Sequence, residues 1–163
     1  MDKEYFLVID IGGTKIRSAI GDNRGHLLKK VKSFTQAKAG AKTIINDLFA
    51  MSDQVINLTG IDPSILKGIG ISFGGPVDFT KQKILRSQHV SGWNNLNLAK
   101  IFSAKYNVPA IIDNDANVAA FGEKIFGSGK KVDNLFYLTI STGIGGGIIL
   151  AGKIWHGAHS LAG

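Results

Sequence analysis

The chain has 163 residues, 44% of them hydrophobic and 19% charged, which suits one well-packed domain. It contains no cysteine, which excludes disulfides and thiolate-bound metals and favours the reducing cytoplasm. Neither a signal peptide nor an apolar run of about 18 residues is found, and the net charge of +7 is scattered, so we expect no membrane and no nucleic-acid partner.

The first 34 residues are predicted to form an antiparallel meander of three strands. "FLVIDI" reads as a buried strand, "KIRSAIGD" as an alternating strand, and "HLLKKVKSF" as a third strand after the turn "NRG". From Ala41 to Thr59 apolar residues recur at spacings of three and four, which predicts a helix that Gly60 ends.

Strands and helices alternate in the next part of the chain. "LKGIGISF" (66–73) is predicted to be a strand, closed by Gly74, Gly75 and Pro76. Asn97 is predicted to cap a short helix that ends before Pro109, because a residue that precedes proline avoids the helical region. A three-strand meander followed by alternating strands and helices predicts an α/β domain with a mixed sheet.

A strand at "PAIID" and a helix over 114–126 complete this domain. Val118, Gly122 and Ile125 are predicted to share one face of that helix. The polar stretch "GSGKKVDN" (127–134) is typical of a linker. After it, "LFYLTISTGIGGGIILAGKIWHGA" repeats the opening plan of strand, glycine-rich bend and strand. We therefore predict one domain over 1–127, and a linker with the first strands of an incomplete second domain over 128–163.

The two glycine-rich bends carry the first functional signal. Neither is a P-loop, and neither is a dinucleotide fingerprint, because no helix is predicted to follow the glycines. A bend between strands can still offer backbone N–H groups to phosphate oxygens, with Thr14 adding a hydroxyl, Lys15 a charge and Asp10 a carboxylate for Mg²⁺. A single bend of this kind could be only a tight turn, but its repetition favours phosphate binding.

Four ordered motifs resemble those of the ROK family, which contains bacterial sugar kinases and related repressors and belongs to the actin/hexokinase superfamily. The motifs are "VIDIGGTKIRSAIGD", "GIGISFGGPVD", "IIDNDANVAAFGE" and "TISTGIGGGIILAGKIWHGAHSLAG". The resemblance implies an actin-like, ribonuclease H-like ATPase fold, with an antiparallel three-strand meander, parallel strands and flanking helices. It also implies an ATP-dependent hexose kinase that uses Mg²⁺ and is a homodimer.

Site residues follow from the same resemblance, by motif. The ATP phosphates would be held by two sets of residues, which are Asp10, Gly12, Gly13, Thr14 and Lys15 in the first bend, and Thr142, Gly143 and Gly145 in the second. Asp10 would also bind the metal. The sugar would contact Gly75, Asn114 and Asp115, together with His89, which stands where many relatives have asparagine. Asp115 would be the catalytic base.

The residues themselves allow two interpretations of Asp115. It follows a strand and opens a helix, so it could simply cap that helix. The helix N-terminus would also favour its ionised form, which predicts a weak base. A weak base suits phosphoryl transfer, in which positioning and charge stabilisation supply most of the catalysis.

Two alternatives to a kinase remain open in the sequence. A sugar-sensing regulator or non-catalytic sugar-binding module of the same family is disfavoured because only Met1 to Tyr5 precede the first phosphate hairpin, where regulators place a helix-turn-helix. A non-sugar ATPase is disfavoured by "DNDAN" and "GGPVD". Family members are about twice this length and continue into a Glu-x-Gly-His motif and often a cysteine-rich zinc site, so we expect an N-terminal region that is inactive alone.

Overall fold

The computed structural model describes residues 2–87, 90–140 and 143–162. The helices are α1 (Gly40–Thr59), α2 (Leu98–Tyr106) and α3 (Asp115–Ile125), with short 3₁₀ turns at Ala37–Ala39 and Pro63–Ile65. The strands, in chain order, are β1 (Tyr5–Ile11), β2 (Lys15–Asp22), β3 (Leu27–Phe34), β4 (Leu66–Phe73), β5 (Val77–Asp78), β6 (Lys83–Ile84), β7 (Ala110–Asn114), β8 (Leu135–Ile140), β9 (Ile144–Leu150) and β10 (Lys153–Ile154).

The main sheet has five strands in the order β3-β2-β1-β4-β7. The first three strands are antiparallel neighbours, whereas β4 runs parallel to β1 and β7 parallel to β4. The predicted mixed sheet and its opening meander are therefore confirmed. The register places Asp10 opposite both Arg17 and Ser72, and Ser72 opposite Asp113, so these four side chains share one face near the ends of their strands.

One face of this sheet forms the hydrophobic core. Leu7 and Ile9 of β1 are fully buried, as are Ile44 and Leu48 of α1, which packs on β2 and β3. Helix α2 packs on β7 and β4 through the buried Phe102. The opposite face is open, because Val8 and Ile111 project from it and are 37% and 50% exposed. Helices α1 and α2 therefore lie on the same side of the sheet.

The predicted ends of the first two helices are confirmed. Gly60 ends α1 in the left-handed conformation, which glycine adopts without steric strain. The side chain of Asn97 accepts a hydrogen bond from the Lys100 N–H at the start of α2. None of the helices in the described residues combines the length and apolarity needed to cross a bilayer.

A second, three-stranded sheet in the order β10-β9-β8 packs against α3. Gly147 of β9 makes the close approach possible, since a Cβ at that position would lie 2.5 Å from the Ala116 oxygen and 2.6 Å from Ala120 Cβ. Helix α3 buries a different face from the one that Val118, Gly122 and Ile125 were predicted to share. Its buried residues are Ala116, Asn117 and Ala120, whereas Val118 and Ile125 are 39% and 42% exposed. The division at 127/128 stays a prediction.

Candidate functional site

The first glycine-rich bend joins β1 to β2 and is held by its own hydrogen bonds. The Gly12 N–H donates to the Lys15 oxygen at 2.9 Å, and the Thr35 hydroxyl donates to the Gly12 oxygen at 2.8 Å. Gly13, Thr14 and Lys15 are exposed. Within the described residues, the N–H groups of Gly13 and Thr14 donate to no protein acceptor. The bend is thus rigid and keeps donors available for an external anion.

Asp10 sits at the end of β1 beside this bend. Its Oδ1 accepts a hydrogen bond from the Ser72 hydroxyl at 3.0 Å, and its Oδ2 contacts the guanidinium of Arg17. Arg17 and Ser72 were not singled out in the sequence. Strand alternation could have found both, because each lies opposite Asp10 in the register of its neighbouring strand.

Asn114 connects the end of β7 to the start of α3. Its side-chain oxygen accepts hydrogen bonds from the N–H groups of Ala116 at 2.9 Å and Asn117 at 3.3 Å, which caps the helix. Its side-chain nitrogen donates to the Gly75 oxygen at 3.1 Å. Two residues predicted to contact the sugar, Asn114 and Gly75, are therefore held directly against each other.

Asp115 lies where α3 meets the first bend. A Cβ placed on Gly74 would be 3.5 Å from Asp115 Oδ2 and 3.5 Å from the Cα of Gly12. The pKa of Asp115 is raised, first by burial and further by the nearby charge of Asp10, although the Ala116 N–H opposes this rise. The helix N-terminus was expected to favour the ionised form of Asp115, but the net direction of the pKa shift is the opposite. Desolvation outweighs the helix terminus here.

Gly145, near the start of β9, lies beside the first turn of α3. Gly143 is exposed, and a Cβ on Gly145 would lie 3.4 Å from the Cβ of Ala116, the residue that follows Asp115. The first bend and the start of β9 therefore approach the same helix end. His89 and Thr142, which were also predicted to be site residues, lie outside the described residues.

A histidine–aspartate contact that the sequence did not reveal lies next to Asn114. The Nε2 of His156 is 2.7 Å from Oδ2 of Asp113, and the His156 ring stacks on Phe79. The sequence patterns gave His156 no place in the predicted site. No local signal links it to Asp113, because 43 residues separate the two in the chain.

Two cavities border these residues. An open cavity of about 540 Å³ lies on the uncovered face of the main sheet, with Val8, Ile111 and Phe121 in its apolar lining and Asp113 and His156 among its few polar groups. A much smaller space of about 10 Å³ touches Gly12, Gly13 and Gly74. The large cavity is mostly apolar, and the small one is lined by the glycines of the first bend and of the turn after β4, together with apolar side chains.

Comparison with known proteins decides the family. The ROK family profile matches residues 6–163, nearly the whole chain. The chain belongs to the ROK family. The resemblance inferred from the four motifs is thereby confirmed.

Curated ROK relatives include both kinases and repressors. The chain is 31% identical to a glucokinase of Halalkalibacterium halodurans, with all of the chain and 49% of that glucokinase aligned. It is 34% identical to a xylose repressor of Bacillus subtilis, with 98% of the chain and 41% of the repressor aligned. The chain thus spans about half the length, or less, of these relatives.

Solved ROK structures share the fold. A ROK family glucokinase from Streptomyces griseus, in complex with glucose and AMPPNP, superposes with a TM-score of 0.85 and 30% identity. The match covers 99% of this chain and 48% of the glucokinase. The predicted actin-like α/β fold is confirmed by this match and by a ROK hexokinase from Thermus thermophilus, with a TM-score of 0.83.

The acidic residues of this ROK chain fit a magnesium ion that is held jointly with phosphate. Asp115 lies close enough to Asp10 that the negative charge of Asp10 raises the pKa of Asp115. No cluster of three or more acidic, histidine or cysteine side chains suited to a metal occurs in the part of the chain that the structure describes. Mg²⁺ in nucleotide sites is bound by one or two carboxylates, water and substrate phosphates, which is the donor set offered here.

Proposed function

We propose that this chain is the N-terminal part of an ATP-dependent sugar kinase that transfers the γ-phosphoryl group of ATP to a hexose hydroxyl. The observation that carries the proposal is the meeting of four features at one helix end: the first bend, the Gly75 turn, Asn114 and Asp115. The glucokinase that binds glucose and AMPPNP supports the same choice of substrates, since its aligned part has the same fold and 30% sequence identity to this chain.

The first bend is assigned to the phosphates. The N–H groups of Gly13 and Thr14, which donate to no acceptor among the described residues, would donate to phosphate oxygens, and the exposed Lys15 would balance their charge. Gly143 and Gly145, with Thr142 by its place in the motif, would also contact the phosphates. Asp10 would hold Mg²⁺, which supplies charge neutralisation on the phosphate oxygens when bound.

Asn114, Gly75 and Asp115 are assigned to the sugar. The Asn114 amide is fixed by its bonds to Gly75 and to the first turn of α3, so it offers a rigid polar contact to a hydroxyl. Asp115 would accept the hydroxyl proton as the sugar oxygen bonds to the γ-phosphorus and the bond from phosphorus to the ADP oxygen breaks. Its raised pKa improves it as a proton acceptor.

The test is the replacement Asp115→Asn in the intact protein. We expect turnover with MgATP and hexose to fall by roughly 100-fold or more, because the general base is lost, while ATP binding stays near that of the wild type. Asp133→Asn, which makes the same change at an exposed carboxylate, is the control and should retain activity. An Asp115→Asn variant with wild-type turnover would overturn the base assignment.

A sugar-sensing regulator is the second candidate, and the 34% identity to the xylose repressor favours it. Both functions would need the sugar contacts at Asn114 and Gly75, but only the kinase needs Asp115 as a base. Calorimetry with a hexose, combined with an ADP-release assay, separates them. Hexose binding without hexose-dependent ADP release would favour the regulator.

A further inference from the structure

His156 is held in place on two sides, next to the candidate site but outside it. Its Nε2 is 2.7 Å from Asp113 Oδ2, and its ring stacks on Phe79 with centroids 4.0 Å apart and planes 15° apart. The His156 side chain is 19% exposed and that of Asp113 is 7% exposed. His156 follows β10, so this contact joins the second sheet to the end of β7.

Asp113 organises the start of α3 with one carboxylate oxygen and contacts His156 with the other. Oδ1 accepts hydrogen bonds from the Asn114 N–H at 2.7 Å and from the Asn117 side-chain nitrogen at 3.2 Å. Oδ2 has His156 as its partner. A carboxylate this deeply buried needs hydrogen bonds to each oxygen. Loss of His156 would therefore make the carboxylate rotate toward another donor and release the Asn114 N–H.

The released group lies one residue from the proposed chemistry. Asn114 holds the Gly75 turn through its side chain, and Asp115 follows it directly. A rotation at Asp113 would thus shift both the proposed sugar ligand and the proposed base. Misplacing reacting groups by about 1 Å can cost roughly 100-fold in rate, even when the altered residue never touches substrate.

We propose that His156 is a positioning residue for phosphoryl transfer, acting through Asp113 on Asn114 and Asp115. The inference rests on the proposed kinase function and adds to it a residue from the far end of the chain. In this role His156 contacts neither sugar nor phosphate. Its hydrogen bond to Asp113, and not its packing on Phe79, is what the reaction requires.

Two variants of the intact protein separate the hydrogen bond from the packing. His156→Phe keeps an aromatic ring against Phe79 but removes the bond, whereas His156→Gln keeps a nitrogen donor and gives up the ring. We expect kcat to fall roughly 10- to 100-fold in His156→Phe, with little change in the KM for ATP. His156→Gln should retain most of the wild-type kcat. The control is His26→Phe, which removes an exposed histidine–aspartate contact elsewhere and should leave kcat unchanged.

The assays use MgATP with glucose, mannose and N-acetylated hexosamines, and thermal melting is recorded for each variant. Asp113→Asn combined with His156→Phe should be no slower than Asp113→Asn alone, since both act on one contact. A His156→Phe variant with the wild-type kcat would overturn this inference and leave the kinase proposal standing. A low kcat in His156→Gln beside it would show that the ring packing matters instead. A wild type inactive on every sugar would overturn the kinase function, and with it the role of His156.

Discussion

Replacing Gly147 by alanine should force β9 away from α3. The new Cβ would lie 2.5 Å from the Ala116 oxygen, 2.6 Å from Ala120 Cβ and 3.0 Å from the Ala116 carbonyl carbon. Nonbonded carbon atoms pack at about 3.5–4.0 Å, so the strand and the helix must separate by roughly 1 Å. Two of the three contacts involve backbone atoms, which cannot be relieved by a change of side-chain rotamer.

The cost follows from what overpacking does to a close-packed interface. Inserting a methyl group into such a site costs about 1–3 kcal/mol of unfolding free energy. For a chain of this length each kcal/mol lowers the melting temperature by roughly 2–4 °C, which gives a decrease of about 2–12 °C. Thermal unfolding followed by circular dichroism, with urea unfolding as a second measure, would detect the change.

Gly122→Ala is the matched control. Gly122 lies in α3, the helix against which Gly147 packs, and a Cβ at Gly122 would meet nothing within 4 Å. Alanine favours the helix, so this variant should gain about 0.5–1 kcal/mol. The reasoning is refuted if Gly147→Ala melts at or above the wild-type temperature. It is also refuted if both variants lose stability equally, since that would make the close approach of β9 irrelevant.

Two further predictions concern single side chains. Burial opposes the charge of Asp22, but hydrogen bonds from the N–H groups of His26 and Arg24 outweigh burial and lower the Asp22 pKa to about 2. The ionised carboxylate therefore stabilises the fold above about pH 4, and this stabilisation is lost as the pH falls to about 2. Asp22→Asn should therefore be less stable than wild type in urea at pH 7, with the difference shrinking toward pH 2, and a pH-independent difference would contradict this. Asn114→Ala should lose about 1–2 kcal/mol, whereas Asn114→Asp keeps the helix cap and most of the stability but binds hexose weakly because it cannot donate to Gly75; equal stability of the two variants would argue against the cap.

Local signals accounted for most of the secondary structure. The strand 66–73 and the helix caps at Gly60 and Asn97 were predictable because alternation, helical periodicity and capping chemistry are properties of neighbouring residues. The meander was predictable for the same reason. The motifs also placed Gly75, Asn114 and Asp115 in one site before any coordinates, and the structure brings these three residues together.

The buried face of α3 could not be predicted in this way. Hydrophobicity favoured Val118 and Ile125, but the helix turns Ala116 and Ala120 inward because they face the glycine-rich strand β9. Small residues on both partners let the backbones come close, and that gain depends on a partner more than twenty residues further along the chain. Periodicity within the helix carries no information about it.

The sequence by itself determined the longer strands, the helices, the family and the identity of the polar groups at the bends, because each is written in short-range patterns or in ordered motifs. Only the tertiary structure decided the proton affinity of Asp115 and the partner of Asp113. Both depend on burial and on charges brought together from distant segments, Asp10 in one case and His156 in the other. Desolvation and long-range pairing exist only once the chain has folded, so residue order alone does not express them.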